Sequence, residues 1–123
     1  MNSGIILLAH GSRKNGANEV IEQLMEMVKG DFGTDKVNYA FLQFSNPTLQ
    51  EAIKEQVEAG VQEVTIVPVF LFNGIHISED IPEIIEQEKK NYPSLKLLAA
   101  EALGMDRRIA EIVKERVQEV RKG

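Results

Sequence analysis

Apolar positions along this chain follow two rhythms: short unbroken runs, and longer stretches with an apolar stripe. The run GIILLA (4–9) has no polar member and reads as a strand buried on both faces. From Ala17 to about Lys29 the apolar positions Ala17, Val20, Ile21, Leu24, Met25 and Val28 predict a helix with one buried face. Turn residues fill GDFGTD (30–35), and KVNYAFLQF (36–44), rich in β-branched and aromatic residues, predicts a second strand. Asn46 followed by Pro47 predicts a helix start, with Asn as N-cap and Pro at the first position, where a missing N–H costs nothing. Leu49, Ala52, Ile53 and Val57 mark its inner face and Gly60 its stop. A third strand is expected over EVTIVPVFLF (63–72), its regular pairing ending near Pro68, followed by a loop over NGIHIS (73–78). Asp80 with Glu83, or else Ser78, is expected to cap a third helix. That helix runs to about Asn91, with Ile81, Ile84, Ile85 and Tyr92 inward or nearly so. LKLLAA (95–100) predicts a fourth strand. Asp106 then caps a last helix carrying Ile109, Ile112, Val113, Val117 and Val120 on its apolar face.

The order β-α-β-α-β-α-β-α implies an α/β fold, a parallel sheet with helices on both faces and right-handed crossovers. The 123 residues fit one domain, with no linker or low-complexity segment. Hydrophobic residues at 43% and charged residues at 27% are ordinary for a globular chain. No apolar run approaches the ~20 residues of a membrane span. The N-terminus lacks a basic region with a cleavage site, so no signal peptide and a cytoplasmic location are expected. The absence of cysteine excludes disulfides, thiolate zinc sites and a cysteine-ligated iron–sulfur cluster. A net charge of −5 argues against non-specific nucleic-acid binding. The charge runs EQEKK and KERVQEVRKG read as solvated helix faces.

Ligands of open α/β sheets bind beyond the carboxyl ends of the strands, where the strand order reverses. With the order 2-1-3-4, strands one and three are neighbours at that point. The chain's two histidines, His10 and His76, follow those two strands and face one crevice. A strand-end histidine can also be a hydrogen-bonded structural residue. Neutral imidazole binds divalent metals and takes protons near neutral pH, and two histidines alone make an open site suited to a metal that is handed on. Gly11 and Ser12 offer backbone N–H groups and a hydroxyl ahead of the first helix, and Arg13 and Lys14 add positive charge. Such a turn holds a carboxylate or phosphate, or is simply a tight connection with solvated basic residues. Phe70, Leu71, Phe72, Ile75 and Ile77 form either a core lid or a platform for a flat apolar ligand. Leu71 is assigned to the core, and Phe70 and Phe72 stand open between the two. Asn73-Gly74 permits a sharp turn before His76.

LLAHGSR (7–13), PVFLFNGIHISEDIP (68–82) and the L-G-x-D segment from Leu103 to Asp106 resemble one family. It is that of the small class II tetrapyrrole chelatases, the short CbiX- and SirB-type sirohydrochlorin chelatases, including the archaeal nickel-inserting relatives. The resemblance covers essentially the whole chain. It implies a chelatase-like three-layer sandwich over residues 1–123, with a four-stranded parallel sheet in the order 2-1-3-4, and a homodimer. It implies ATP-independent insertion of Co²⁺, Fe²⁺ or Ni²⁺, the metal being a substrate, into sirohydrochlorin or a close derivative, a step of cobalamin or siroheme biosynthesis. His10 and His76 match the metal-binding and proton-abstracting histidines. The apolar loop with Phe70, Phe72, Asn73, Gly74 and Ile75 would lie against the macrocycle, and Gly11, Ser12 and Arg13 would hold its carboxylates. One position departs from the pattern. Related sequences commonly carry a glutamate near the end of strand two as a further metal ligand, and the matching residue here is Gln43. An amide ligates weakly and is no base. Glu79, Asp80, Glu101 or water is left to fill that role. There is no histidine-rich tail. Two other readings stand beside this one: a non-catalytic tetrapyrrole or metal carrier, and a histidine phosphatase. AHGS is similar to the R-H-G motif of the latter, but Ala9 stands where that chemistry wants arginine.

Overall fold

The apolar runs pair into one parallel sheet of order β2-β1-β3-β4, as the alternation of elements implies. The structure is a computed structural model that describes residues 2–13, 18–72 and 75–121. Its elements are β1 (Ser3–Ala9), α1 (Glu19–Lys29), β2 (Lys36–Phe41), α2 (Leu49–Glu58), β3 (Glu63–Pro68), α3 (Ile75–Asn91), β4 (Lys96–Ala99) and α4 (Arg107–Arg121). β1 lies between β2 and β3, with Leu8 level with both Ala40 and Pro68. Its five residues Gly4 to Leu8 are all buried, because helices cover both faces.

On one face Ile6, Leu8, Val64, Ile66 and Leu97 pack with Leu49, Ala52 and Ile53 of α2 and Ile81 and Ile85 of α3. On the other, Ile5, Leu7, Val37 and Phe41 pack with Ile21, Leu24, Met25 and Val28 of α1. Each fully buried aliphatic side chain contributes about 1.5–3 kcal/mol. Gln56 of α2 is buried in this core. Its amide nitrogen lies 3.2 Å from the Ile5 carbonyl, 3.2 Å from the Lys36 carbonyl and 2.9 Å from Asn38 Oδ1. Gly4 makes room for it, since a Cβ there would run into the Gln56 amide oxygen.

Several boundaries differ from expectation. β2 stops at Phe41 and β3 at Pro68, short of residues 44 and 72. α2 is capped by Thr48 rather than Asn46. The Thr48 hydroxyl accepts from the Glu51 N–H (3.1 Å), and the Glu51 carboxylate accepts from the Thr48 N–H (2.8 Å). Pro47 is outside the helix because its carbonyl accepts from the Phe41 N–H (2.9 Å), which ties the segment to the end of β2; the Asn46-Pro47 peptide is cis. α3 begins at Ile75, so residues 75–78 are helical rather than loop, and Ser78, Asp80 and Glu83 lie inside the helix rather than at its start. Ala17, at the expected start of α1, lies outside the described residues, and Val20 is exposed. Glu88, within the run EQEKK, is buried and accepts a hydrogen bond from Asn91 (2.7 Å).

Asp106 caps α4 as expected, its Oδ1 accepting from the Arg108 N–H (2.9 Å). The Arg108 guanidinium reaches both carboxylate oxygens (2.8 and 2.9 Å) and holds the Asp106 carboxyl well below the usual carboxylate range. The apolar face of α4 is the largest departure. No residue of this helix is buried, and Ile112, Val113, Val117 and Val120 are exposed rather than packed inward. Among the described residues, no helix is long and apolar enough to cross a membrane.

Candidate functional site

β1 and β2 stay joined for two residues past the last sheet pair. Leu42 N–H donates to the Ala9 carbonyl (3.0 Å) and Gln43 N–H to the His10 carbonyl (3.1 Å). That zipper sets the Gln43 side chain beside the His10 ring, Nε2 to Nδ1, at 3.2 Å. Gly11 follows at φ +100°, and a Cβ there would strike the Gln43 carbonyl oxygen, so glycine is required for the two connections to approach. Ser45 Oγ donates to the Ser12 carbonyl (3.0 Å) and accepts from Asn18 Nδ2 (2.7 Å), which ties both loops to the start of α1. The Arg13 guanidinium stacks 4.2 Å above the Phe44 ring, an arrangement that fixes a cation at the rim. On the other side of His10, the buried Phe70 presents its ring edge-on, centroids 6.0 Å apart and planes at 81°. A cavity of about 250 Å³ opens beside this cluster, lined by Gly11, Ser12 and Asn18 together with Ile21 and Phe41.

The structure therefore brings His10, Gly11, Ser12, Arg13, Gln43 and Phe70 together at the carboxyl edge of the sheet. His76 lies in the first turn of α3, which follows β3 on that same edge; its side chain is outside the described residues, as is that of Ile75. Asn73 and Gly74 are outside them entirely. Phe72 is 84% exposed. Leu71, expected in the core, is 49% exposed, because the inward position just past β3 is taken by Phe70. Glu79, Asp80 and Glu101 are exposed. Among the described residues, no three His, Asp or Glu side chains converge as a ready-made metal cluster. Ser45, Asn18 and Phe44 were not singled out in the sequence. Of the three, only Ser45 lies in the polar stretch S-N-P-T after β2, which also reads as a helix start.

The His10–Gln43 pair has a chemical consequence. With its nitrogen toward Nδ1, the amide donates, and the imidazole proton sits on Nε2. A half-turn of the amide puts its oxygen there instead, to accept from Nδ1–H and leave the Nε2 lone pair free for a metal or a proton. A neutral amide orients the ring without adding negative charge.

Comparison with known proteins gives a consistent picture. The CbiX family model matches residues 4–120. The chain is 38% identical over 117 residues to the sirohydrochlorin cobaltochelatase of Sulfurisphaera tokodaii, with 95% of this chain and 92% of that one covered. It is 32% identical over 116 residues to the sirohydrochlorin ferrochelatase of Priestia megaterium, covering 94% of this chain and 43% of that one. The structure of the sirohydrochlorin chelatase SirB from Bacillus subtilis subspecies spizizenii in complex with cobalt matches with a TM-score of 0.90 at 26% identity. That match covers 98% of this chain and 51% of SirB. The chain thus spans about half the length of these two larger proteins and nearly all of the cobaltochelatase.

Proposed function

This chain belongs to the CbiX family, and we propose that it inserts a divalent metal ion into sirohydrochlorin or a close derivative without ATP. Co²⁺ is the first candidate, from its cobaltochelatase relatives, with Fe²⁺ and Ni²⁺ open to the same chemistry. The observation that carries the reading is His10 at the carboxyl end of β1, oriented by Gln43 and open to the crevice. Insertion releases two pyrrole protons as the metal enters the ring. His10 and His76 hold the ion through ring nitrogens and take those protons as it leaves. Gln43 serves as an orienting partner of His10 rather than a third ligand. Its lack of charge keeps the ion weakly held, which favours transfer.

Sirohydrochlorin is a polycarboxylate. Arg13, held on Phe44, and the Gly11–Ser12 turn beside the cavity would take its acidic arms. Phe70 backs the histidine, and Phe72, Asn73, Gly74 and Ile75 would lie along the macrocycle. The active unit is a homodimer, a reading supported by the half-length match to SirB and by the bare apolar face of α4.

The test is the metal-dependent absorbance change of sirohydrochlorin. His10→Ala and His76→Ala should each slow it by at least about 100-fold. Normal rates in both variants would sink the proposal. Gln43 also favours a second reading, a carrier. Tight binding of metal or tetrapyrrole with insertion at the uncatalysed rate in the wild type would establish that one instead.

A further inference from the structure

Three successive residues after β2 hold the loop after β1 piece by piece. Gln43 meets the His10 ring, Ser45 donates to the Ser12 carbonyl, and Phe44, between them, meets the Arg13 guanidinium. The backbone of Phe44 lets one short segment reach in three directions. Its φ is +67°, and among the described residues it is the one non-glycine in the left-handed region. That conformation is strained for any side chain larger than glycine's and persists where surrounding contacts over-determine it. Here the Gln43 N–H on the His10 carbonyl and the Ser45 hydroxyl on the Ser12 carbonyl pin the segment on both sides. The phenylalanine ring is left 52% exposed at the crevice rim. Burial does not account for a ring so placed; its contact with Arg13 does.

That contact decides what Arg13 can do. An aromatic ring holds a cation without neutralising it. Among the described residues no carboxylate pairs with Arg13. Arg108 is the contrast, its guanidinium occupied by both carboxylate oxygens of Asp106. The charge of the whole chain gives this difference its weight. At net −5 the molecule as a whole repels a polycarboxylate. A positive group at the crevice has to be both unpaired and held in place. A loose arginine gives up much side-chain freedom on meeting a carboxylate, and one already held on a ring gives up less.

We propose that Phe44 is a positioning residue for tetrapyrrole binding: it presents Arg13, charged and unpaired, to a carboxylate of the substrate, and acts through Arg13 rather than on the macrocycle. The proposal takes its ligand from the insertion reading above and rests on it there, whereas its readout is binding and needs no turnover.

The test is a double-mutant cycle. Binding of metal-free sirohydrochlorin, followed by its absorbance or fluorescence, is measured for wild type, Phe44→Leu, Arg13→Ala and the double variant. A cation–ring contact at an exposed site corresponds to about two- to fivefold in affinity. Phe44→Leu should weaken binding by that factor, Arg13→Ala by more, and the double variant by no more than Arg13→Ala alone. Phe44→Trp should bind at least as well as wild type. Phe44→Gly, which the left-handed backbone accommodates without strain, should match Phe44→Leu and so separates the ring's contact from the fold of the segment. In insertion kinetics with Co²⁺ the Phe44→Leu loss should appear in the KM for sirohydrochlorin rather than in kcat. Wild-type affinity in both Phe44→Leu and Phe44→Gly would overturn the proposal. So would a loss that persists undiminished in the Arg13→Ala background, which would put the ring on the macrocycle itself. A wild type that binds with these dependences but inserts metal at the uncatalysed rate would overturn the chelatase reading and leave this one standing. A wild type that does not bind sirohydrochlorin would overturn both.

Discussion

A glutamine amide sits at each end of the β1–β2 pairing, Gln56 reaching in from α2 and Gln43 standing just past β2, and the two live in opposite surroundings. At the amino end Gln56 is buried, aimed at the Ile5 and Lys36 carbonyls and at Asn38, with Gly4 making room for it. At the carboxyl end Gln43 is exposed and touches His10. Polar groups buried in a core hold elements in place and have no route to a ligand. Polar groups at the open edge contribute little to stability and are free to meet one. Among the described residues, Gln56 Oε1 and Asn38 Nδ2 are also buried without a hydrogen-bond partner, which limits what Gln56 adds to stability.

The sharpest way to break this contrast is at His10. His10→Ala should remove at least about 100-fold of the insertion rate while leaving the unfolding free energy within about 0.5 kcal/mol of wild type, as for a surface change. A shift as large as that of a core variant would place His10 in the scaffold. Gly11→Ala comes next. Its added Cβ meets the Gln43 carbonyl at a positive φ, so the rate should fall roughly tenfold or more through displacement of the His10–Gln43 pair. Unchanged Co²⁺ affinity and rate would show that the pairing has no functional weight. Thr48→Ala removes the α2 cap, whose hydrogen bonds run to Glu51, and should cost about 1 kcal/mol by chemical denaturation and leave the rate of folded protein alone.

The smallest effect concerns pH. The Asp106 carboxyl titrates lower in the folded chain than in the unfolded one, so its contribution is complete above the unfolded value and is lost as pH falls toward the folded one. Asp106→Asn should therefore flatten the stability curve only below about pH 4. A change confined to neutral pH would contradict this assignment.

Much of this arrangement was legible in the chain. GIILLA could only be a central strand, and its abrupt stop at His10 marked the functional edge. The position of Gln43 was visible, but its contact with His10 depends on two hydrogen bonds past the strand end, which no local pattern encodes. Local pattern set the helix start at Asn46-Pro47; the capping box at Thr48 and Glu51 took it instead, because tertiary pairing of the Pro47 carbonyl keeps Pro47 outside the helix. The stripe on α4 correctly announced an amphipathic helix. Periodicity says that such a face must be covered, and not by which chain.

The most direct measurement sets the two amides against each other: the Co²⁺ insertion rate of Gln43→Leu and of Gln56→Leu, normalised to folded protein and read with each variant's unfolding free energy. Gln43→Leu should lose about 10–100-fold in rate with stability near wild type. Gln56→Leu should lose about 1–3 kcal/mol of stability and keep its rate. A Gln43→Leu variant that inserts cobalt at the wild-type rate, or a folded Gln56→Leu variant that does not, would contradict the division of labour between the two ends of the sheet.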